Sequence, residues 1–136
     1  MHVNEGMSSV VLTVGPGHTL REAARLMAER GIGAAVVMDP DSPGFGIITE
    51  RDVLRSVAEG QDTSKEVVGD HLTDEAMVAS PDWSLEQAAD TMIEHGFRHL
   101  LVVDGSELAG VLSMRDIVRC WTGQRTMSAD GVRRDS

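Results

Sequence analysis

Apolar positions recur at helical spacing in two stretches of the chain. In TVGPGHTLREAARLMAERG, residues 13–31, the positions Leu20, Ala23, Ala24, Met27 and Ala28 share one face and Gly31 ends the run. This predicts a helix that follows a short β-prone run and a Pro/Gly turn. Leu85, Ala88, Ala89, Met92 and Ile93 repeat the spacing and Gly96 ends it. After each helix comes an apolar run (AAVVM or HLLVV), a turn of short polar residues (DPDSPGFG or DGSELAG) and a second apolar run. A last short helix carries Val53, Leu54 and Val57 in one case, and Ile117, Val118 and Trp121 in the other. The predicted order is strand, helix, strand, hairpin turn, strand, helix, written twice.

The two copies align residue by residue. An offset of 65 pairs Pro16 with Pro81, Leu20 with Leu85, Ala23 and Ala24 with Ala88 and Ala89, Met27 with Met92, Gly31 with Gly96, and Asp39 with Asp104. One residue is dropped in the hairpin turn, and an offset of 64 then pairs Gly46, Arg51, Asp52 and Arg55 with Gly110, Arg115, Asp116 and Arg119. Colinear matches with one loop deletion read as duplication. The fold class expected is α/β (α+β). Two parallel strands are joined by a right-handed crossover, with the hairpin strand antiparallel beside them. Three short strands and two helices cannot bury both faces alone, so the repeats are expected to pack through their small sheets about a pseudo-twofold axis. The expected boundaries are repeat 1 over 1–60, a polar linker over 61–70, repeat 2 over 71–122 and a loose tail over 123–136.

Composition narrows the setting. At 136 residues the chain suits one compact domain, and with 41% hydrophobic but 3% aromatic residues its core must come from Val, Leu, Ile, Ala and Met. No apolar run approaches the ~20 residues of a bilayer crossing, and MHVNEGMSS lacks the pattern of a secretory signal, so a soluble cytoplasmic protein is expected. Cys120 is the single cysteine, which excludes an intrachain disulfide and a thiolate-cluster metal site. A net charge of −10 argues against nucleic acid, while a small anion needs only a few local arginines.

The candidate chemistry lies where the second apolar run of each copy ends, in GIITERDV (46–53) and GVLSMRDI (110–117). Thr49 with Asp52, and Ser113 with Asp116, fit a capping box, in which a hydroxyl and an acid three residues later satisfy the first amides of a helix. The other two helices start with Thr19 and Glu22, and with Ser84 and Gln87, using a longer acid or amide. The shorter Asp at both strand ends suggests a carboxylate placed to accept hydrogen bonds from a diol outside the helix. The helix N-terminus and hydroxyl suit a phosphate nearby.

The duplicated GIITERD and GVLSMRD, preceded by GIGAAVVMD and GFRHLLVVD, resemble the tandem cystathionine beta-synthase (CBS) domain pair, often called a Bateman module, over residues 3 to 122. The resemblance implies a stand-alone regulatory module that binds AMP, ADP, ATP or S-adenosylmethionine between its repeats. In similar modules the Asp accepts from the ribose hydroxyls, the Ser or Thr contacts ribose or phosphate, and apolar residues of the other repeat hold adenine. It implies one site of Ile47, Thr49, Arg51 and Asp52 with Met77, Phe97 and Arg98, and a second of Val111, Ser113, Arg115 and Asp116 with Leu12, Ile32 and Gly33. Arg98 of the first is Gly33 in the second, so the first is expected to prefer the more phosphorylated ligand. Arg51 and Arg115 have an alternative as solvated helix residues or dimer contacts.

The remaining candidates are weaker. His95 and His99 have a metal-like spacing but no carboxylate or cysteine completes a shell, so no metal is expected. Neither a nucleophile motif nor a phosphate-cradling loop is present, so an enzyme, and a required cofactor, are not expected. The other class open is an interaction protein with degenerate sites. Alanine and methionine helix faces suit a core and also a homodimer.

Overall fold

A computed structural model of the chain describes residues 1–41, 44–73 and 77–127, with side chains as far as 122. Two compact units form, Val11–Ala76 and Met1–Val10 with Met77–Ser136. The elements are α1 (Val3–Gly6), β1 (Thr13–Val14), α2 (Leu20–Arg30), β2 (Ala34–Val37), β3 (Gly46–Thr49), α3 (Glu50–Ala58), a 3-10 turn at Val68–Asp70, β4 (Val78–Ala79), α4 (Leu85–His95), β5 (His99–Asp104), β6 (Glu107–Ser113) and α5 (Met114–Met127). The duplicated order expected from the pattern is present.

In the Val11–Ala76 unit the sheet order is β1-β2-β3, parallel then antiparallel, with Thr13 opposite Val36 and Ala35 opposite Ile48. The other unit repeats this as β4-β5-β6, with Val78 opposite Leu101 and Leu100 opposite Leu112. These are the mixed three-stranded sheets that a crossover followed by a hairpin produces. Strand alternation sends Ala35, Val37 and Ile48 into a core with Leu20, Ala23 and Met27 of α2. In the second unit Leu100, Val102 and Leu112 meet Leu85, Ala88, Ala89 and Met92 of α4 and Ile117 of α5. α2 starts at a Thr19/Glu22 capping box and stops at Gly31, whose φ of +64° an L side chain rarely adopts.

Each core also contains a residue from outside the repeat that builds it. Val3, wholly buried, lies in the core with Leu85 and Leu112, and Val68, equally buried, lies with Leu20 and Ile48. The two arms make the same bonds. Val3 donates its amide to the Trp83 carbonyl at 2.8 Å and Asn4 to Pro81 at 3.1 Å; Val68 donates to His18 at 2.8 Å and Gly69 to Pro16 at 2.9 Å. Ser8 pairs with Val111 and Thr73 with Ile47 as antiparallel bridges. Thus residues 1–10 complete the unit built from the second copy, and residues 66–73 complete the unit built from the first. The segment read as a polar linker is an integral part of the first unit.

This arm explains the glycine that opens each motif. A Cβ on Gly110 would sit 2.5 Å from the Ser8 carbonyl oxygen, and one on Gly46 would sit 2.9 Å from Leu72 Cδ1 and 3.2 Å from the Thr73 carbonyl oxygen. At the other end, α5 continues to Met127, beyond the expected module end at 122, and residues 128–136 of the expected tail lie outside the described residues.

Candidate functional site

β3 and β6 each run without a connecting residue into a helix, so the last strand residue is also the helix N-cap. At the first corner Thr49 has φ −121° and ψ 163°, extended, and Glu50 begins α3. The Thr49 amide and hydroxyl both donate to Asp52 Oδ2, at 2.8 and 2.9 Å, and the Asp52 amide donates back to Thr49 Oγ1 at 3.3 Å. The Glu50 amide donates to the Gly33 carbonyl at 2.9 Å, tying the corner to the loop before β2. At the second corner the Ser113 amide donates to Asp116 Oδ2 at 2.9 Å and the Asp116 amide donates to Ser113 Oγ at 3.0 Å. There the Met114 amide donates to the Arg98 carbonyl at 2.8 Å.

Contrary to expectation, the shorter Asp side chains do not stand apart from helix capping. At α2 the Thr19 amide donates to Glu22 Oε1 at 2.9 Å and the Glu22 amide to Thr19 Oγ1 at 3.1 Å, the same reciprocal network that Asp52 closes with Thr49. These bonds, backbone first and hydroxyl second, hold the Glu22 carboxyl below its ordinary value. Asp52 and Asp116 are therefore capping residues first. A carboxylate has two oxygens, however, and each cap uses one. Among the described residues Asp52 Oδ1 has no hydrogen-bond donor. Asp116 Oδ1 accepts from Arg119 Nη1 at 3.2 Å. A carboxylate fixed through one oxygen can accept from a hydroxyl pair with the other, and the helix N-terminus beside it favours negative charge nearby.

The remaining expected residues divide between the units. Ile47 and Leu12 are buried in the first unit, where the Leu12 carbonyl accepts from Val36 at 2.9 Å. Ile32 is exposed and Gly33 half-buried before β2, while Arg51 is half-buried in the first turn of α3. In the second unit Met77 is half-buried against the core, Val111 lies in β6, Arg98 is exposed before β5, and Arg115 is exposed in the first turn of α5. Phe97 is also exposed and stacks on His95, with ring centroids 6.2 Å apart and planes within 5°. Each expected ligand set thus draws on both units. Within each unit the structure ties the motif corner to the loop before the middle strand, Glu50 to Gly33 and Met114 to Arg98, through the backbone bonds above. Sequence reasoning missed those carbonyls, since only the fold reveals backbone partners, and it missed Arg119. The signal for Arg119 was present, because Arg55 and Arg119 recur three residues after each aspartate.

Among the described residues no group of three His, Cys, Asp or Glu could hold a metal ion, and His95 Nδ1 instead lies 3.1 Å from the Thr91 carbonyl. Among them, too, no helix is long and apolar enough to cross a membrane.

Comparison with known proteins places this geometry. The CBS domain family model matches residues 2–59 and 68–123. The CBS domain-containing protein YhcV of Bacillus subtilis is 34% identical over 116 residues, which cover 85% of this chain and 81% of that protein. A CBS-domain protein from Burkholderia ambifaria superposes with a TM-score of 0.83 at 29% identity over 99% of this chain and 100% of that one. A CBS domain protein from Pyrobaculum aerophilum, solved in complex with AMP, superposes with a TM-score of 0.77 at 28% identity over 85% of this chain and 89% of that one. Two duplicated units, each with the mixed sheet and capped strand-to-helix corner, account for both matched segments: the chain belongs to the CBS domain family, as a tandem pair of CBS domains.

Proposed function

We propose that the chain is a non-catalytic sensor of adenosine-containing ligands, AMP, ADP, ATP or S-adenosylmethionine, that reads them with the aspartates of its two strand-to-helix corners. The observation that carries this reading is the division of labour in the Asp52 carboxylate. Oδ2 is fixed by Thr49, and Oδ1, beside a helix N-terminus, has no donor among the described residues. A ribose diol needs an acceptor that does not reorganise on binding, and the cap supplies one. The AMP complex of the Pyrobaculum relative supports the ligand class. In this proposal the first ligand is held by Ile47, Thr49, Arg51 and Asp52 with Met77, Phe97 and Arg98, and the second by Val111, Ser113, Arg115 and Asp116 with Leu12, Ile32 and Gly33. Arg98 gives the first set the greater preference for added phosphates.

A thermal-shift panel tests it. A ligand at one hundred times its Kd adds about 2.7 kcal/mol to stability. AMP or ATP should therefore raise the melting temperature of the wild-type chain, and less so for Asp52→Asn. Lack of any shift across the panel contradicts the proposal, and phosphate released from ATP contradicts its non-catalytic part.

One observation favours a second reading. Both aspartates serve their own helices, so the motif has a structural use without any ligand, as an interaction protein with degenerate sites requires. The same panel separates the two.

A second copy of the chain is the proposed macromolecular partner. Leu54 and Val57 on α3 are 67% and 56% exposed, and Val118 and Trp121 at the matching positions on α5 are 49% and 54% exposed. Two equivalent apolar pairs in one chain suit a symmetric, self-complementary contact.

A further inference from the structure

We infer that Arg119 is a specificity-determining residue that makes the two corners unequal, by occupying the second carboxylate oxygen of Asp116, whose counterpart on Asp52 is left to a diol. This rests on the proposed reading of the corners as adenosine sites. Asp116 Oδ2 accepts from the Ser113 amide at 2.9 Å and Oδ1 accepts from Arg119 Nη1 at 3.2 Å, so both oxygens have protein donors. Asp52 concentrates its protein donors on Oδ2, and among the described residues Arg55, the counterpart of Arg119, makes no such pair. The arginine reaches Asp116 from one turn along the same helix face, three residues away. Its side chain is 64% exposed while that of Asp116 is 14% exposed, so the pair can open to water without unpacking a core. A diol arriving at the second corner must displace the guanidinium; at the first it need not. The Asp52 corner therefore fills first as ligand rises, and the Asp116 corner responds at higher concentration.

The competition has a definite sign, because an arginine that recruited phosphate would do the opposite. Adenosine, which has the diol and no phosphate, is the probe. Asp52→Asn isolates the second corner and Asp116→Asn the first, each keeping an acceptor for the cap. In the Asp52→Asn chain, Arg119→Gln should tighten adenosine binding by calorimetry about two- to five-fold, the range of an exposed ion pair. Arg119→Lys, a shorter-reaching cation, should fall between. Added salt should strengthen adenosine binding at the second corner while Arg119 is present and lose that effect in Arg119→Gln, a response that a merely structural arginine would not give. Arg55→Gln in the Asp116→Asn chain should change nothing. Weaker or unchanged binding in Arg119→Gln, or an equal gain from Arg55→Gln, overturns the inference while adenosine binding by Asp116→Asn leaves the sensor reading in place. Absence of adenosine binding in the wild type and every variant overturns both.

Discussion

Asp52 performs two tasks that different substitutions separate. Thr49→Ala removes the hydroxyl that accepts from the Asp52 amide and donates to Oδ2, and loss of such an N-cap costs about 1 kcal/mol. Asp52→Asn keeps a carbonyl oxygen for the Thr49 amide but presents no charged second oxygen. We therefore expect thermal denaturation to show a lower melting temperature for Thr49→Ala, whereas Asp52→Asn stays near wild type without ligand and gains less from ligand than the wild type does. Glu22 gives the cap a pH signature. Its folded value is depressed by the Thr19 bonds from the ordinary 4.5. A carboxyl shifted this way contributes stability above its unfolded value, and that contribution is lost as pH falls through the folded value. Glu22→Gln should flatten the acid limb of the stability profile below the ordinary carboxyl value. Cys120 is shifted the other way: burial pushes its thiol up, aided by the Asp116 charge. It should react with a thiol reagent near pH 8 more slowly in the native chain than in the unfolded one.

The arms are the element whose removal tests how the units hold together internally. Val3 and Val68 occupy matching buried positions, and truncating a fully buried valine to alanine costs about 1–3 kcal/mol. Gly110→Ala forces a Cβ into the Ser8 carbonyl, whereas Gly46→Ala first meets the movable end of Leu72. Denaturant unfolding should therefore show Gly110→Ala as the more destabilised of the two, with amide exchange at Ser8 accelerated. The duplicated strand-helix-strand-strand-helix order was legible because Leu20, Ala23 and Met27 recur as Leu85, Ala88 and Met92, and identities of that kind survive comparison. The arms were not, because their correspondence rests on Val3 with Val68, Met7 with Leu72 and Ser8 with Thr73, in which one identity and two similar pairs carry no periodicity. Which unit an arm joins depends on long-range backbone pairing that local pattern does not encode. The motif positions were legible as a repeated hydroxyl and acid. Their capping role was misjudged on side-chain length, because Asp reaches the amide where the N-cap continues a strand, at φ −121° for Thr49 against −76° for Thr19.

At the scale of the whole molecule, charge and apolar surface make separate statements. A net charge of −10 repels anions over much of the surface, so the proposed binding of anionic ligands depends on local groups, such as the helix N-termini and Arg98. The exposed pairs Leu54 with Val57 and Val118 with Trp121 should bring two copies together. Light scattering should give twice the 14.6 kDa chain mass for the wild type and the single mass for a Leu54→Glu, Trp121→Glu double variant. A wild type that stays at the single mass across concentration contradicts the second-copy partner. Whether a sugar reaches the aspartate of each corner, Oδ1 of Asp52 directly and Oδ1 of Asp116 after Arg119 gives way, decides between a sensor and a scaffold. Calorimetric titration of AMP into the wild-type chain, Asp52→Asn and Asp116→Asn decides this. The account predicts saturable binding in the wild type, loss of the tighter event in Asp52→Asn and of the weaker one in Asp116→Asn. Binding unaltered by either substitution, or no heat in any of the three, contradicts it.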